Sequence, residues 1–454
     1  MLAAFIKKHY WSFTKWLFNA VVTAILVGIV TTILYIRWVE APLTTITIPV
    51  LITADDNQGG QFALGVSRAI NWAERFKLDE VGGRRIRPLF LNEDALNCTE
   101  ADSRDGCTTE KRVEEFLASL DSIETEVPLV VGPLTSTHSK ILIEPIAMNK
   151  GIPMVLGIPT RTDLVESFSG RVWRLSPTDD FQAKTIIQTL ERLATDGQSI
   201  LIIQDGDKRN GEYSQPLAEK IVELAAQSGS LPSPPKPMIM TSSSLSAVQE
   251  FLGKNKPQFV VYAGMPDQAR NLLRWAEKLR LQSTFIFTDG CIDPEFIEQV
   301  SKIAHQGSQS RFLITFQAPP PSQSPGIESY IWFTRSMGGN VTGVVNRECD
   351  SSSGAISYEV FGFDAYMMAL NLLREAAALG KPNKQNVEKV MANQRNPRWT
   401  FLLMSPYSFD EWGNNQKLEF HVYRIQPDGC VTHPESTLDN GGNDSLCPID
   451  QHSY

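Results

Sequence analysis

The sequence predicts a two-lobed α/β protein preceded by one membrane-spanning helix. Three observations predict it. Short, fully apolar runs alternate with helix-periodic stretches, the pattern of parallel sheets covered by helices on both faces. The alternation runs once from Thr45 to Ile158 and again from Arg171 to Gly290. An uncharged run, finally, lies close to the N-terminus. The length of 454 residues exceeds one small core and calls for two or three domain-sized units.

The uncharged run is Trp16 to Ile36, WLFNAVVTAILVGIVTTILYI. At the rise of an α-helix it reaches roughly 31 Å, enough to cross a bilayer core. Trp16, Tyr35 and Trp38 flank it, and such rings sit at the headgroup level. Lys7, Lys8 and Lys15 precede it and only Arg37 follows closely. Residues 1–15 are therefore expected in the cytoplasm and the body in the periplasm or extracellular space. Val39-Glu40-Ala41 has the look of a cleavage site, but Pro42 would follow the cut, and the run is longer than a usual signal core. The expectation is an uncleaved, single-pass anchor over 16–38, which makes the membrane a partner.

Hydrophobic content of 42% and charged content of 20% belong to a globular chain. Residues 1–37 carry four positive charges and no acid, so a net charge of −9 becomes −13 for the remainder. A body this acidic is a poor nucleic-acid binder, and plain solubility accounts for the charge. Six cysteines in an exported domain suggest disulfides. Cys98 and Cys107 flank a polar loop and are a candidate pair. Cys430 and Cys447 share the C-terminal tail, and Cys291 with Cys349 is what remains. No C-x-x-C occurs, and no zinc spacing fits, so no metal is expected.

Residues 45–52 (TITIPVLI) read as a strand, 61–76 as an amphipathic helix, 85–92 as a strand and 109–120 as a helix. PLVVGP ends a further strand, SKILIEPIAMNKG is the helix after it, closed by Gly151, and IPMVLGI is the next strand. The second series begins with a strand at 171–177. FQAKTIIQTLERLA is a helix, 199–205 a strand, and SQPLAEKIVELAAQSG a helix. The strand 257–264, the helix DQARNLLRWAEKLR and the strand 284–290 follow. FLITFQAPPP ends in a loop, 358–380 is a long helix, and TFLLMSPYSFDEWGNN with 419–425 resembles a closing hairpin. The tail from Gln426 is polar and reads as loosely ordered.

Ligands in such sheets sit at the carboxyl ends of strands. Past the third strand stand Thr135, Ser136 and Thr137; past the fourth, Pro159, Thr160, Arg161 and Thr162. Gly206, Asp207 and Asn210 follow SILIIQD, Met265 follows VVYAG, and Asp289-Gly290 follows FIFT. Hydroxyls and free N–H groups at a helix start suit an anion such as a carboxylate. Taken singly, Ser136 reads as a helix cap and Thr160 as a turn cap; facing each other across adjacent strand ends, they read as ligand groups. Asp289 reads equally as a turn residue before Gly290 or as the partner of a ligand ammonium. Arg161 faces either cleft or solvent.

Other chemistries lack their motifs. G-x-S-x-G, the phosphate-binding G-x-x-x-x-G-K-[ST], G-x-G-x-x-G and H-E-x-x-H are all absent. His138 lies two residues from Ser136, a separation that does not by itself make a nucleophile and its base meet. No catalytic residue and no cofactor is expected, and the protein does not read as an enzyme.

VVGPLTST, GIPMVLGIPTRTDL, RVWRLSPTDDFQA and FGFDAYMMALNLL, in that order, resemble the class I periplasmic-binding fold. The similarity is greatest to the branched-chain amino-acid (Leu/Ile/Val) substrate-binding proteins of ABC importers, and it spans roughly 45–425. It implies two Rossmann-like lobes of the periplasmic-binding-protein-like type I, joined by three hinge crossings near Arg171–Ser176, Phe312–Gln317 and Arg398–Leu403. Lobe 1 would combine 44–172 with 316–400, and lobe 2 would combine 173–315 with 401–430, leaving 431–454 as a tail. The resemblance implies an amino acid held by Ser136 and Thr160 with nearby backbone. Ile158 and Pro159 stand at backbone-contact positions, Thr137 beside the cradle, and Asp289 where the family has a Glu for the ammonium. Two departures stand out. Asn210 occupies a position where the family often has Tyr, and Asn57-Gln58 one where an aromatic often covers the pocket. Both favour a small or polar ligand.

The function so implied is a membrane-anchored, extracytoplasmic solute-binding protein that delivers an amino acid or similar small polar solute to an ABC permease. The alternative is a tethered sensor ectodomain; with about 15 residues before the span, it would need a separate signalling partner.

Overall fold

The computed structural model describes residues 44–53, 57–98, 107–195, 198–207, 210–231, 237–319 and 357–432 except 398, 400, 401 and 403–405, together with 326, 329, 330, 334 and 336. The expected anchor over 16–38 lies outside these residues. No helix among the described residues is long and apolar enough to cross a membrane.

Two sheets organise the described chain. The first has the order β2-β3-β1-β4-β5-β6: β1 (Thr44–Ile52), β2 (Glu80–Val81), β3 (Arg84–Asn92), β4 (Val130–Val131), β5 (Met154–Leu156) and β6 (Val172–Arg174). β1, β4, β5 and β6 pair in parallel. The second has the order β13-β12-β11-β10-β9-β7-β8. Its members are β7 (Ile200–Asp205), β8 (Met238–Met240), β9 (Phe259–Ala263), β10 (Thr284–Phe287), β11 (Arg311–Phe316), β12 (His421–Ile425) and β13 (Val431–Thr432). β7 to β11 are parallel, whereas β12 and β13 add an antiparallel edge. β4, β5, β7 and β9 are buried along their whole length, which is why they read as continuous apolar runs.

Ten helices of eight residues or more connect and cover these strands among the described residues. In chain order they are α1 (Asn57–Arg75), α2 (Thr109–Asp121), α3 (Ser136–Ile143), α4 (Asp179–Leu193), α5 (Gly211–Gln227), α6 (Leu245–Asn255), α7 (Pro266–Lys278), α8 (Pro294–His305), α9 (Glu359–Ala378) and α10 (Lys384–Asn393). α9 is apolar nearly all round and correspondingly buried from Glu359 to Leu370. It crosses α1 at very close range: a Cβ on Gly65 would lie 1.8 Å from the Glu359 carbonyl oxygen, and one on Gly362 2.1 Å from that of Phe62. Beside this crossing Arg68 pairs with buried Glu359, which also accepts from Tyr330. Burial lowers the Arg68 pKa to about 10, so it stays charged at neutral pH.

Several expectations need correction. The hairpin that closes the second sheet joins β12 to β13, not to the segment after Thr400. The tail from Gln426 is therefore ordered into the sheet as far as Thr432, because Val431 pairs with Ile425 and buries its side chain. β6 is the last strand of the first sheet. β8, α8 and α10 went unread. Cys98 and Cys107 form a disulfide. Cys430 is disulfide-bonded, and the Cys447 that the sequence offers it lies outside the described residues. Cys291, left over for Cys349, is instead a buried free thiol facing the Gly264 carbonyl at 3.3 Å.

Candidate functional site

The site grows from strand ends. After β4 the cis Gly132–Pro133 peptide turns the chain. Leu134 and Thr135 then donate their backbone N–H groups to Glu93, a fully buried carboxylate just past β3, at 3.0 and 3.2 Å. Glu93 also meets His138 Nδ1 at 3.0 Å, and His138 Nε2 meets Asn97 Oδ1 at 3.2 Å. His138 is thus engaged at both ring nitrogens and ties the loop to Glu93.

Thr135, not Ser136, caps the helix: its Oγ1 accepts the His138 N–H at 3.1 Å. α3 begins at Ser136, three residues earlier than expected, because the cap is already supplied there. That leaves the Ser136 hydroxyl, 6% exposed, directed at the β5 loop, where it accepts the Arg161 N–H at 3.4 Å.

The β5 loop is braced from beneath. Pro159 O accepts from Ser176 Oγ at 2.6 Å, Ile158 O from Gln317 Nε2 at 3.5 Å, and Thr160 O from the Asp179 N–H at 2.7 Å. Fully buried Arg174 donates to the carbonyls of Arg161 and Thr162 and to Asn414 Oδ1. Burial lowers its pKa to about 10, which leaves it a cation at neutral pH.

From the second sheet, Asp289 opens a short 3-10 turn after β10. It is 3% exposed, and its Oδ1 accepts from Tyr213 Oη at 2.6 Å and Gln182 Nε2 at 2.8 Å. Burial pushes its carboxyl up, and those two donors oppose the shift. Burial also raises the Tyr213 phenol well above its ordinary value, so Tyr213 remains a donor. Asn210 lies just before α5 and donates to Asp205 Oδ2 at 3.1 Å.

These loops enclose a cavity of about 370 Å³. Ser136, Thr137, Ile158, Pro159, Thr160, Asn210 and Asp289 all line it, so the structure brings all seven predicted residues to one place. Gln58 lines it too, from the start of α1. Arg161 neither faces the cavity nor is free in solvent. It pairs with Asp163 at 2.5 Å and with Glu212 across the cleft.

Among the described residues, several contacts cross the cleft. Gln58 Nε2 donates to Gly290 O at 3.0 Å, Tyr358 Oη donates to Asp289 O at 2.8 Å, and Lys140 and Arg161 meet Glu212, the former at 2.9 Å. Acidic groups outnumber basic ones in the lining. Asp94, Asp267, Asp289 and Asp293 face it, and the one guanidinium, Arg270, is held by Asp267 at 2.6 Å and Asp293 at 3.2 Å.

Reading strand ends missed several contributors, Glu93, Asp94, Tyr213 and Tyr358 among them. Glu93 and Asp94 follow β3 directly, so the same rule applied to RIRPLFLN would have found them. Tyr213 lies one helical turn after Asn210 and supplies aromatic surface close to where the family's Tyr was missing. Tyr358 arrives from α9, remote in sequence, and carries no local signal.

No protein-family profile matches the chain, and no curated protein matches its sequence. Solved structures do match. The chain is similar to the leucine-binding protein LivK of Thermotoga maritima at 17% identity and TM-score 0.65, over 86% of this chain and 97% of that one. A branched-chain amino-acid ABC transporter protein of Thermus thermophilus, solved with bound valine, matches at 14% identity and TM-score 0.64, over 86% and 96%. A fatty-acid ABC transporter substrate-binding protein of Thermomonospora curvata matches at 12% identity and TM-score 0.64, over 86% and 91%. At these identities the likeness establishes the fold, that of ABC-transporter solute-binding proteins.

Proposed function

We propose that the chain is a membrane-anchored, extracytoplasmic solute-binding protein, anchored through 16–38, that captures an amino acid or similar small polar solute for an ABC importer. One observation carries the reading. A cavity of about 370 Å³ between two strand-end clusters has buried hydroxyls, Ser136 and Thr160, on one wall and a buried carboxylate, Asp289, on the other. A zwitterion bridges such walls, with its carboxylate at the hydroxyls and the α3 N-terminus and its ammonium at Asp289. Ligands with only one charge would leave a buried polar wall unpaired, which supplies selectivity.

Capture needs no bond chemistry. The first lobe, 44–172 with 316–400, and the second, 173–315 with 401–430, would close about the crossings after β6, after β11 and before β12. A ligand that touches both walls favours the closed form by its difference in affinity for the two states.

Thermal-shift measurement on the full chain in mild detergent tests the reading, with amino acids, amides, urea and short peptides as probes. A true ligand at 100 times Kd adds about 2.7 kcal/mol of stability. Asp289→Ala is expected to weaken that ligand tenfold or more. An unchanged affinity removes Asp289 from the site, and a panel without any stabilising solute overturns the reading.

A further inference from the structure

Directly behind the site lies a carboxylate that the capture scheme does not use. Asp179 is the first residue of α4 and 2% exposed, and neither of its oxygens has a hydrogen-bond partner of good geometry. A buried, unpaired carboxylate is costly, and it sheds the cost by keeping its proton. The Thr160 hydroxyl lies near enough to favour the charged form, second only to burial among the influences on this carboxyl. Its surroundings come from both walls. The β5 loop brings Thr160 and Arg161, and β6 brings Arg174. The second sheet's side brings Asp289 and the Tyr213 phenol, and α4 itself adds Asp180.

The buried amides nearby offer no help. Gln182, one turn along α4, spends its N–H groups on Asp289 and Thr315, both at 2.8 Å. Its Oε1 and that of Gln317 are also without partners, and both side chains are fully buried. Asp289 and Asp179 thus form an unequal pair of like charges. Asp289 accepts from two donors that oppose the upward push of burial, whereas Asp179 has only the nearby Thr160 hydroxyl to favour its charged form.

We infer that Asp179 is a proton-exchanging carboxyl coupled to the ammonium end of the site, so that capture of a cationic group at Asp289 expels a proton from Asp179 to solvent. This rests on the solute-binding reading and adds a regulation to it. The balance is simple: the ligand enters with its ammonium already protonated, Asp179 passes from carboxylic acid to carboxylate, and one proton leaves to the buffer. The incoming positive charge favours the Asp179 carboxylate against burial, which chiefly keeps it protonated, and against the repulsion from Asp289 that adds to it. Burial is the main cause that raises the Asp179 pKa, to about 7, so the exchange falls near neutral pH. Ligand is then held more tightly at alkaline pH and released as the medium turns acidic.

The test is isothermal titration calorimetry of the full chain in detergent, with L-leucine, L-valine and L-asparagine as probes. Runs at pH 7 in phosphate and in Tris differ in the heat of buffer protonation. The expected result is a buffer-dependent enthalpy worth roughly half a proton released per ligand. Affinity should also rise roughly tenfold from pH 6 to pH 8. In Asp179→Asn both effects vanish while binding persists. Wild-type enthalpies that agree between buffers overturn the inference and leave the solute-binding reading intact. A buffer effect that survives in Asp179→Asn places the proton elsewhere, at Asp289 for one, and also overturns it. If Asp179→Asn does not fold, the wild-type buffer comparison alone decides. No binding by any of the three probes counts against both.

Discussion

Replacing Asp179 by Asn should leave the fold intact and remove a pH dependence of stability. The carboxyl ionises near 3.8 in the unfolded chain and at about 7 in the folded one, chiefly because burial penalises its charge. Between those values the folded state holds a proton that the unfolded state has lost. Stability from this group is therefore complete below pH 3.8, falls as pH rises, and levels off above pH 7. The whole loss is at most about 4 kcal/mol, of which about 2–3 kcal/mol falls between pH 5 and pH 8. Asparagine has nearly the same shape and does not titrate. Urea unfolding of wild type and Asp179→Asn at a series of pH values measures the difference directly, and the constant cost of burying an amide cancels. The variant should gain on wild type by about 2–3 kcal/mol between pH 5 and pH 8. Profiles that run parallel to within about 0.5 kcal/mol would show that Asp179 ionises normally, and the reasoning would fail.

Glu212→Gln should weaken ligand binding no more than about fivefold at low salt, and the deficit should disappear at high salt, because the Lys140 and Glu212 side chains are 46% and 41% exposed. Affinity measured at two ionic strengths checks this; a large, salt-independent loss would place Glu212 inside the site. Gly362→Val should cost more than about 2 kcal/mol or prevent folding, since its Cβ would collide with the Phe62 carbonyl on rigid helix backbone. A urea midpoint equal to wild type would show that the α1–α9 crossing opens freely.

The parallel strands were legible because their faces are both buried, so composition alone marks them. The edges were not. β8 has an exposed Ile239 and β13 only two residues, so neither carries a run long enough to read. The site was legible to the extent that it follows strands. Ser136, Thr160 and Asp289 all stand within five residues of a strand end. Its support was not. Asp179 in TDDFQ reads as an ordinary acidic first turn, and only burial shows that it lacks a partner. Glu93 likewise looks like a surface acid, and only the fold brings the Leu134 and Thr135 N–H groups to it. Long-range pairing has no local signature, whereas burial of a whole strand does.

The contacts that cross the cleft are few and polar, and this bears on how closure is controlled. Gln58 to Gly290 and Tyr358 to Asp289 are neutral hydrogen bonds to backbone carbonyls. Each such bond nets only about 0.5–1.5 kcal/mol, because water competes for the same groups when they separate. The Glu212 pairs are half-exposed and add little more. If the lobes close as proposed, these contacts would contribute little to closure without ligand, and a modest difference in ligand affinity between open and closed forms would be enough to decide it. The costly element is the pair of buried carboxyls, Asp179 and Asp289, whose pKa values burial raises, and in the proposed capture a cation held between the walls would favour their charged forms. On the solute-binding reading, the acidic pair would set both what is captured and when closure is stable, while the contacts at the rim would fix only the geometry.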